Sequence, residues 1–597
     1  MALTELEKQS IKEKYDEERE KRLRADGNAQ YQRLEEKFAD LAVDPYVPQK
    51  DREPVKDHVA FAFVGGGFSG LVVGARLKQA GIDDVRIIEK GGGVGGTWYW
   101  NRYPGAQCDT AAMIYLPLLE ETGHMPTEKY VHGPEIRSHC ENIAEQYGLN
   151  EKALFHTEVT AIDWMDDQNV WRIRTSRGDD FTAKYVGLGT GPLHVAKLPG
   201  IDGVDRFKGK AFHTSRWDYS YTGGSPDGDA MDNLSDKRVA IIGTGATAVQ
   251  CVPHLAKSAK ELLVFQRTPS SVDERNNAPI DSEWFESIAT PGWQQRWFDN
   301  FVENQGQGMP SEDFVMDGWT EISRRIREKV MAMPPSEWKP DTILSAFEDA
   351  DFEKMEAIRD RVDGIVQDEK TAQGLKAWYR QLCKRPCFHD DYLQAFNEPS
   401  TKLVHTDGKG VERITETGLV ANGEHYDVDC IIYASGFEVG SDYTERAGFD
   451  LTGREGLKLS DYWSEGMRTL HGVHVHGFPN AFFVQPSQAA NLISNVPHNI
   501  VDHANTIAAV VSHAEEKEST TVEPTQEAET AWVELVTSGQ GMLIGNTECT
   551  PGYYNNEGQG LTDKNRTLLG HPAGAGAFFR HIDAWRRSGE FEGLAFD

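Results

Sequence analysis

Two glycine-rich turns constrain this chain more than any other feature. Residues 58–81, HVAFAFVGGGFSGLVVGARLKQAG, place an apolar strand, then Gly65-x-Gly67-x-x-Gly70, then a helical pattern. Residues 237–259, KRVAIIGTGATAVQCVPHLAKSA, repeat the plan with Gly243-x-Gly245-x-x-Ala248. A strand that stops at glycines and feeds a helix aims the free N–H groups of the helix at a pyrophosphate. Gly65 permits the bend, Gly67 lets the backbone approach the phosphates, and Gly70 lets helix and strand pack closely. Ala248 stands at the third position because that position needs only to be small. Two such units predict an α/β protein with two Rossmann-like dinucleotide-binding domains.

The end of the next strand separates the two sites. VRIIEK ends in Glu89, nineteen residues after Gly70 (89 − 70), where a carboxylate accepts hydrogen bonds from ribose hydroxyls. ELLVFQRTP puts Arg267 nineteen residues after Ala248 (267 − 248). A carboxylate repels a 2′-phosphate, whereas a guanidinium grips one bidentately. The first site therefore suits FAD and the second NADPH, with Thr268 adding a hydroxyl donor. A flavoprotein that takes hydride from NADPH follows.

At 597 residues the chain exceeds one ordinary core. The expected division is a charged helical extension over 1–57, then the FAD-binding domain over 58–195 and 433–597. The NADP-binding domain takes 196–275 and 381–432, and a helical insertion rich in Trp, Met, Arg and Glu occupies 276–380. In the extension, EKQSIKEKYDEEREKRLRADG reads as an exposed helix ended by Asp26-Gly27, and Leu34, Phe38 and Leu41 suggest a second, shorter one. The whole extension reads as a solvated appendage that packs on the outside and adds little to function.

A net charge of −32 opposes nucleic acid or an anionic membrane as partner. The seven cysteines are odd in number and without framework spacing, which fits a reducing compartment. The N-terminus lacks the apolar core of a signal peptide, and no apolar run is long enough to span a bilayer, so a cytoplasmic protein is expected. No metal set stands out; His471, His474 and His476 alternate as strand residues do.

Further motifs name the chemistry. Phe207-x-Gly209-x-x-x-His213-x-x-x-Trp217-Asp218 resembles the fingerprint of type I Baeyer–Villiger monooxygenases. The string from Gly95 through Gly96-Thr97-Trp98 and Tyr103-Pro104-Gly105 to Asp109 is similar to a second pattern of that family, and Lys384-Arg385-Pro386 to a third. The resemblance covers about 58–597. It implies that Gly96, Thr97, Trp98 and Tyr115, with Phe68 of the first turn, lie along FAD. It also implies that His213 and Trp217, with Phe207 and Gly209, couple the domains, and that Lys384 joins Arg267 on the 2′-phosphate. Arg385, held by Asp109, is the expected catalytic cation: it favours a deprotonated C4a-peroxyflavin and the alkoxide formed when that adds to a ketone. The implied reaction inserts one atom of O2 next to a ketone carbonyl to give an ester or lactone.

Some positions depart from the common pattern. Gln107 stands where arginine is frequent, and the crossing reads Ala434-Ser435-Gly436. The segments VQPSQAANLISNVPH and ECTPGYYNNEGQG look like the branch acting on large-ring, polycyclic or steroid ketones, and are expected to line the substrate pocket. A flavin N- or S-oxygenating enzyme is the alternative, and would need neither Arg385 nor Trp217. The missing CxxC opposes a disulfide reductase, and an intact Asp109/Arg385 pair opposes a non-catalytic nucleotide sensor. Monomer and homodimer both remain open.

Overall fold

The computed structural model describes residues 4–33, 43–306, 310–492, 494–539 and 548–597. Two sheets organise it. The first runs in the order Leu451–Thr452, Val159–Met165, Val170–Thr175, Asp180–Leu188, His58–Val64, Val85–Ile88 and Ala153–Leu154, with Ala481–Phe483 also on Asp180–Leu188. Around His58–Val64 the pairing is parallel on both sides, with Val64 opposite Ile88 and Leu188. Covered on both faces, such a strand is apolar without alternation, and Phe61, Ala62 and Phe63 are fully buried. The helix Phe68–Gln79 that follows packs on the long helix Val496–Glu516.

The second sheet has five parallel strands in the order Thr401–His405, Glu261–Gln266, Arg238–Ile242, Cys430–Tyr433 and Lys210–His213. Both glycine turns thus lie at the carboxyl ends of parallel strands, where open α/β sheets bind their ligands. The chain passes between the sheets near Gly189–Lys197 and again at Ala434–Phe437, and the crossings touch through Lys197 N–H to the Gly436 carbonyl, 3.1 Å. Between 282 and 375 the described residues form helices and no strand, the longest being Pro340–Ile365. No helix among the described residues is long and apolar enough to cross a membrane.

The N-terminal extension packs on the outside, as expected, but is tied down more firmly than a solvated appendage. Its helix, Glu5–Glu20, ends six residues before Asp26 (26 − 20) and buries Ile11 and Tyr15. Tyr15 packs on Phe352, and Lys8 and Lys12 pair with Asp349 and Glu348 of the helix Pro340–Ile365. Tyr31–Arg33 then forms an antiparallel pair with Lys197–Pro199. Ile11 and Tyr15, four residues apart, make a narrow apolar face in a run otherwise dense in charge, which disguises it as an exposed helix. Leu34, Phe38 and Leu41 lie outside the described residues. The cysteines hold a second departure: Cys383 is disulfide-bonded to Cys549, whereas Cys108, Cys140, Cys251, Cys387 and Cys430 are buried free thiols.

Candidate active site

The first turn is built by contacts only glycine permits. Gly65 has φ +112°, and a side chain there would meet the Gly189 carbonyl oxygen at 2.5 Å. A Cβ on Gly70 would lie 2.1 Å from the Gly65 carbonyl oxygen, so strand and helix close on one another as the motif requires. Gly67 begins the helix in an extended conformation with no side-chain cap, which leaves the first-turn N–H groups for a pyrophosphate. Gly96 faces it: its own Cβ would stand 2.8 Å from Gly67 Cα. Glu89 is buried and accepts from Gly66 N–H and Gly91 N–H, each at 2.6 Å. Burial pushes its carboxyl above the usual range, opposed by those two N–H groups. Its oxygens keep lone pairs for a ribose.

The short helix Thr97–Trp100 carries the next residues. Trp98 Nε1 donates to Tyr115 Oη at 3.0 Å, and the Tyr115 ring meets Trp98 and Phe68 edge-on at 5.8 Å each. Trp100 is buried beneath the Arg216 guanidinium, 3.7 Å from its centroid.

Asp109 and Arg385, 276 residues apart, form a bidentate pair: Nη1 to Oδ2 at 2.8 Å and Nη2 to Oδ1 at 2.6 Å. Asp109 is buried, while 31 % of the Arg385 side chain stays accessible, so one face of the cation is left for another group. Burial alone would disfavour the charge; the Asp109 pair outweighs it and holds the guanidinium pKa well above its ordinary value. Arg385 enters just before Cys387–Phe388, which pairs in parallel with Val272–Asp273.

A third member is Trp319, from the helical region. Its Nε1 donates to the Asp109 carbonyl at 2.8 Å, and its ring lies 5.6 Å from the Arg385 guanidinium carbon. Asp317 caps the helix Gly318–Met331, and a Cβ on Gly318 would stand 2.1 Å from the Phe388 ring; this close approach delivers Trp319. The Asp-Gly-Trp start was a legible helix signal, but nothing local tied it to Asp109. Gln107 receives a hydrogen bond from Arg275, which is buried and likewise went unread. Asn495, at the start of Val496–Glu516, is fully buried, and neither side-chain amide atom has a partner among the described residues, as fits a site that a bound group completes. Tyr553 and Tyr554 feel the Arg385 charge, and Thr110 Oγ1 donates to the Ser494 carbonyl at 2.7 Å, so both late segments approach the pair.

The second turn repeats the geometry of the first. Gly243 has φ +115° and approaches the Ala434 carbonyl, Gly245 starts the helix Ala246–Ser258 uncapped, and Ala248 is fully buried. A Cβ on Gly245 would meet nothing within 4 Å. Arg267 donates to Gln30 and, at 3.4 Å, to Tyr31 Oη, and lies 3.9 Å from Glu557. Thr268 Oγ1 accepts from Arg22 Nε at 3.1 Å. Lys384 Nζ makes no hydrogen bond or ion pair to a described residue; burial, with Arg267 and Arg22 nearby, lowers its pKa to about 8 against the pull of Glu557. A cluster of cations short of anions fits a 2′-phosphate.

The fingerprint residues lie on and beside Lys210–His213, the edge strand of the second sheet. The Phe207 ring lies over Gly209, where a Cβ would meet it at 2.5 Å. His213 is fully buried; its Nδ1 accepts from Ser215 N–H at 3.2 Å, which leaves its proton on Nε2 facing the Gly436 backbone short of good hydrogen-bond geometry. Burial lowers its pKa to about 3, so it stays neutral. Trp217 is buried against Phe212 and donates to Thr222 Oγ1 at 3.1 Å.

Residues 62–282 match the family model described as pyridine nucleotide-disulphide oxidoreductase. The chain is 45% identical over 592 residues to neopentalenolactone D synthase of Streptomyces avermitilis, covering 98% of each protein. It is 46% identical to a Baeyer–Villiger monooxygenase of Streptomyces coelicolor, covering 98% of this chain and 96% of that one. A polycyclic ketone monooxygenase from the thermophilic fungus Thermothelomyces thermophila superposes with a TM-score of 0.91 at 38% identity, over 99% of both chains.

Proposed function

The chain belongs to the Baeyer–Villiger monooxygenases, FAD- and NADPH-dependent enzymes that insert one oxygen atom of O2 beside a ketone carbonyl, and from that premise we propose that its own substrate is a bulky cyclic ketone held against Arg385. The observation that carries this reading is the buried Asp109–Arg385 pair with one open cationic face. Bound FAD, once reduced by NADPH, supplies the activated oxygen. The residues of the chain supply position and charge. Arg385 stays protonated at any working pH and offers N–H donors to the negative charge that develops on the carbonyl oxygen. Asp109 fixes the plane of the guanidinium, and Trp319 holds both from the helical side. Tyr553, Tyr554 and residues 484–492 and 494–498 would line the space for a fused-ring ketone, in keeping with what the fungal relative's name says it acts on.

In the same reading the first turn, with Phe68, Glu89, Gly96, Thr97, Trp98 and Tyr115, holds FAD. The second, with Arg267, Thr268 and Lys384, holds NADPH. Phe207, Gly209, His213 and Trp217 join the two domains at their crossings, and the division into a split FAD domain, a split NADP domain and a helical insertion over 276–380 goes with it. The buried free thiols favour a cytoplasmic setting; the Cys383–Cys549 bond is the exception to it.

The test is Arg385→Ala. NADPH should still bleach the flavin under anaerobic conditions, at a rate within about threefold of wild type, while ester or lactone from a fused-ring ketone falls by about a thousandfold, the loss expected when the main donor to a developing oxyanion is removed. Ester formation retained by this variant would overturn the assignment.

A further inference from the structure

The N-terminal extension brings one side chain into the second nucleotide site. Arg22 follows the helix Glu5–Glu20 and is 5 % exposed, a costly place for a guanidinium without a purpose. Nη1 is committed to Glu18, donating to its carboxylate and its carbonyl, each at 2.6 Å. Nε donates to Thr268 Oγ1 at 3.1 Å. Nη2 bonds no described residue. The hydroxyl of Thr268 therefore accepts from Arg22 and keeps its own hydrogen to give to something else. Arg22, Arg267 and Lys384 converge on one region, with Glu557 the carboxylate nearest Arg267 and Lys384.

The extension is held on both sides of Arg22. Lys8 and Lys12 pair with the helix Pro340–Ile365, Lys21 pairs with Asp407 at 3.1 Å, and Gln30 accepts from Gly200 N–H at 2.8 Å. Asn28 reaches Asn556 at 2.7 Å, and Tyr31 lies under the Lys197 ammonium. A segment tied at so many points holds a side chain in register as a core element does. Gln30 and Tyr31 take one edge of the Arg267 fork, which orients the remaining donors.

We propose that Arg22 is a ligand of the NADPH 2′-phosphate, acting through its free Nη2 and through the Thr268 hydroxyl it orients, so that the extension completes the cofactor-selecting pocket. This rests on the reading of Arg267 and Lys384 as the 2′-phosphate site. The extension thus contributes to the choice of NADPH over NADH, which the second glycine turn alone does not determine.

The experiment is calorimetric titration of the FAD-loaded enzyme with NADP+ and NAD+, which differ only in that phosphate. Arg22→Gln should weaken NADP+ about tenfold, the scale of one charge-assisted bond, and leave NAD+ within twofold. Arg22→Lys, which keeps the charge but loses the fork, should fall between. Thermal melting of each variant reports the Glu18 anchor separately. Equal losses for both nucleotides, or no loss for NADP+, overturn the proposal. Arg267→Ala is the control for the underlying reading: if it fails to weaken NADP+, that reading falls; if it weakens NADP+ while Arg22→Gln does not, only the role of Arg22 falls.

Discussion

The two glycine turns share one backbone plan and are completed in opposite ways. The first is finished locally. Glu89, Gly91, Gly96, Trp98 and Tyr115 all follow within about fifty residues of Gly65, and the carboxylate of Glu89 is tied back to Gly66 and Gly91. The second is finished from afar. Arg22, Gln30 and Tyr31 come from the extension, Lys384 from beyond the helical insertion and Glu557 from near the C-terminus. The first turn is also roofed, with Gly96 against Gly67, whereas Gly245 faces open space. A roofed, locally finished site suits a cofactor that stays; an open, assembled one suits a cofactor that comes and goes.

Breaking the turns should expose that contrast most sharply. Gly96→Ala, at φ +53°, drives a methyl to 2.8 Å from the Gly67 Cα and should cost about 2 kcal/mol or more, with loss of bound flavin absorbance. Gly245→Ala meets no protein atom and should change stability by less than about 1 kcal/mol while weakening NADP+, because the cofactor itself must approach there. Equal melting temperatures for the two variants would erase the distinction. Next in size, Arg267→Glu should make the second site resemble the first: NADP+ binding falls at least about a hundredfold while NAD+ holds within a few-fold. A parallel loss of both nucleotides in titration would mean that Arg267 shapes the fold rather than reads the phosphate.

The smallest effect is a pH dependence. The Lys384 pKa is lowered to about 8 in the free protein, chiefly by burial, and an anionic phosphate beside it raises that value. Binding therefore takes up a proton above pH 8. NADP+ affinity should be flat below about 8 and decline by up to about tenfold per unit above it. For folding the sign is opposite: the unfolded lysine holds its proton up to about 10.4, so this group's penalty is present below 8 and is relieved as pH rises from 8 towards that value. Titrations of Lys384→Met across the same range should lose the decline; a decline that persists points to another group.

The same contrast explains what was legible in the chain. Strand, glycine turn, helix and closing residue lie within about thirty residues, so the plan of both domains and the Glu89/Arg267 charge swap could be read directly. Asp109 and Arg385 were found because each sits in a dense local motif, although they meet across 276 residues. Arg22 just follows a helix, and Trp319 lies in one, with ordinary surface-like patterns, and Arg275 has no motif around it. Their roles are set by partners 210 to 246 residues away along the chain for Trp319 and Arg22, and contacts of that range leave no period in the sequence. Cys383 and Cys549 were opaque for the same reason, being separated by 166 residues.

That bond has a kinetic consequence. Cys383 is two residues before Arg385, and Cys549 four before Tyr553, so the link pins the start of the Tyr553–Tyr554 segment beside the site. That segment's return after any local opening is an intramolecular event, governed by a short leash and an effective concentration in the millimolar range or above. Cutting the leash by reduction touches neither Asp109 nor Arg385.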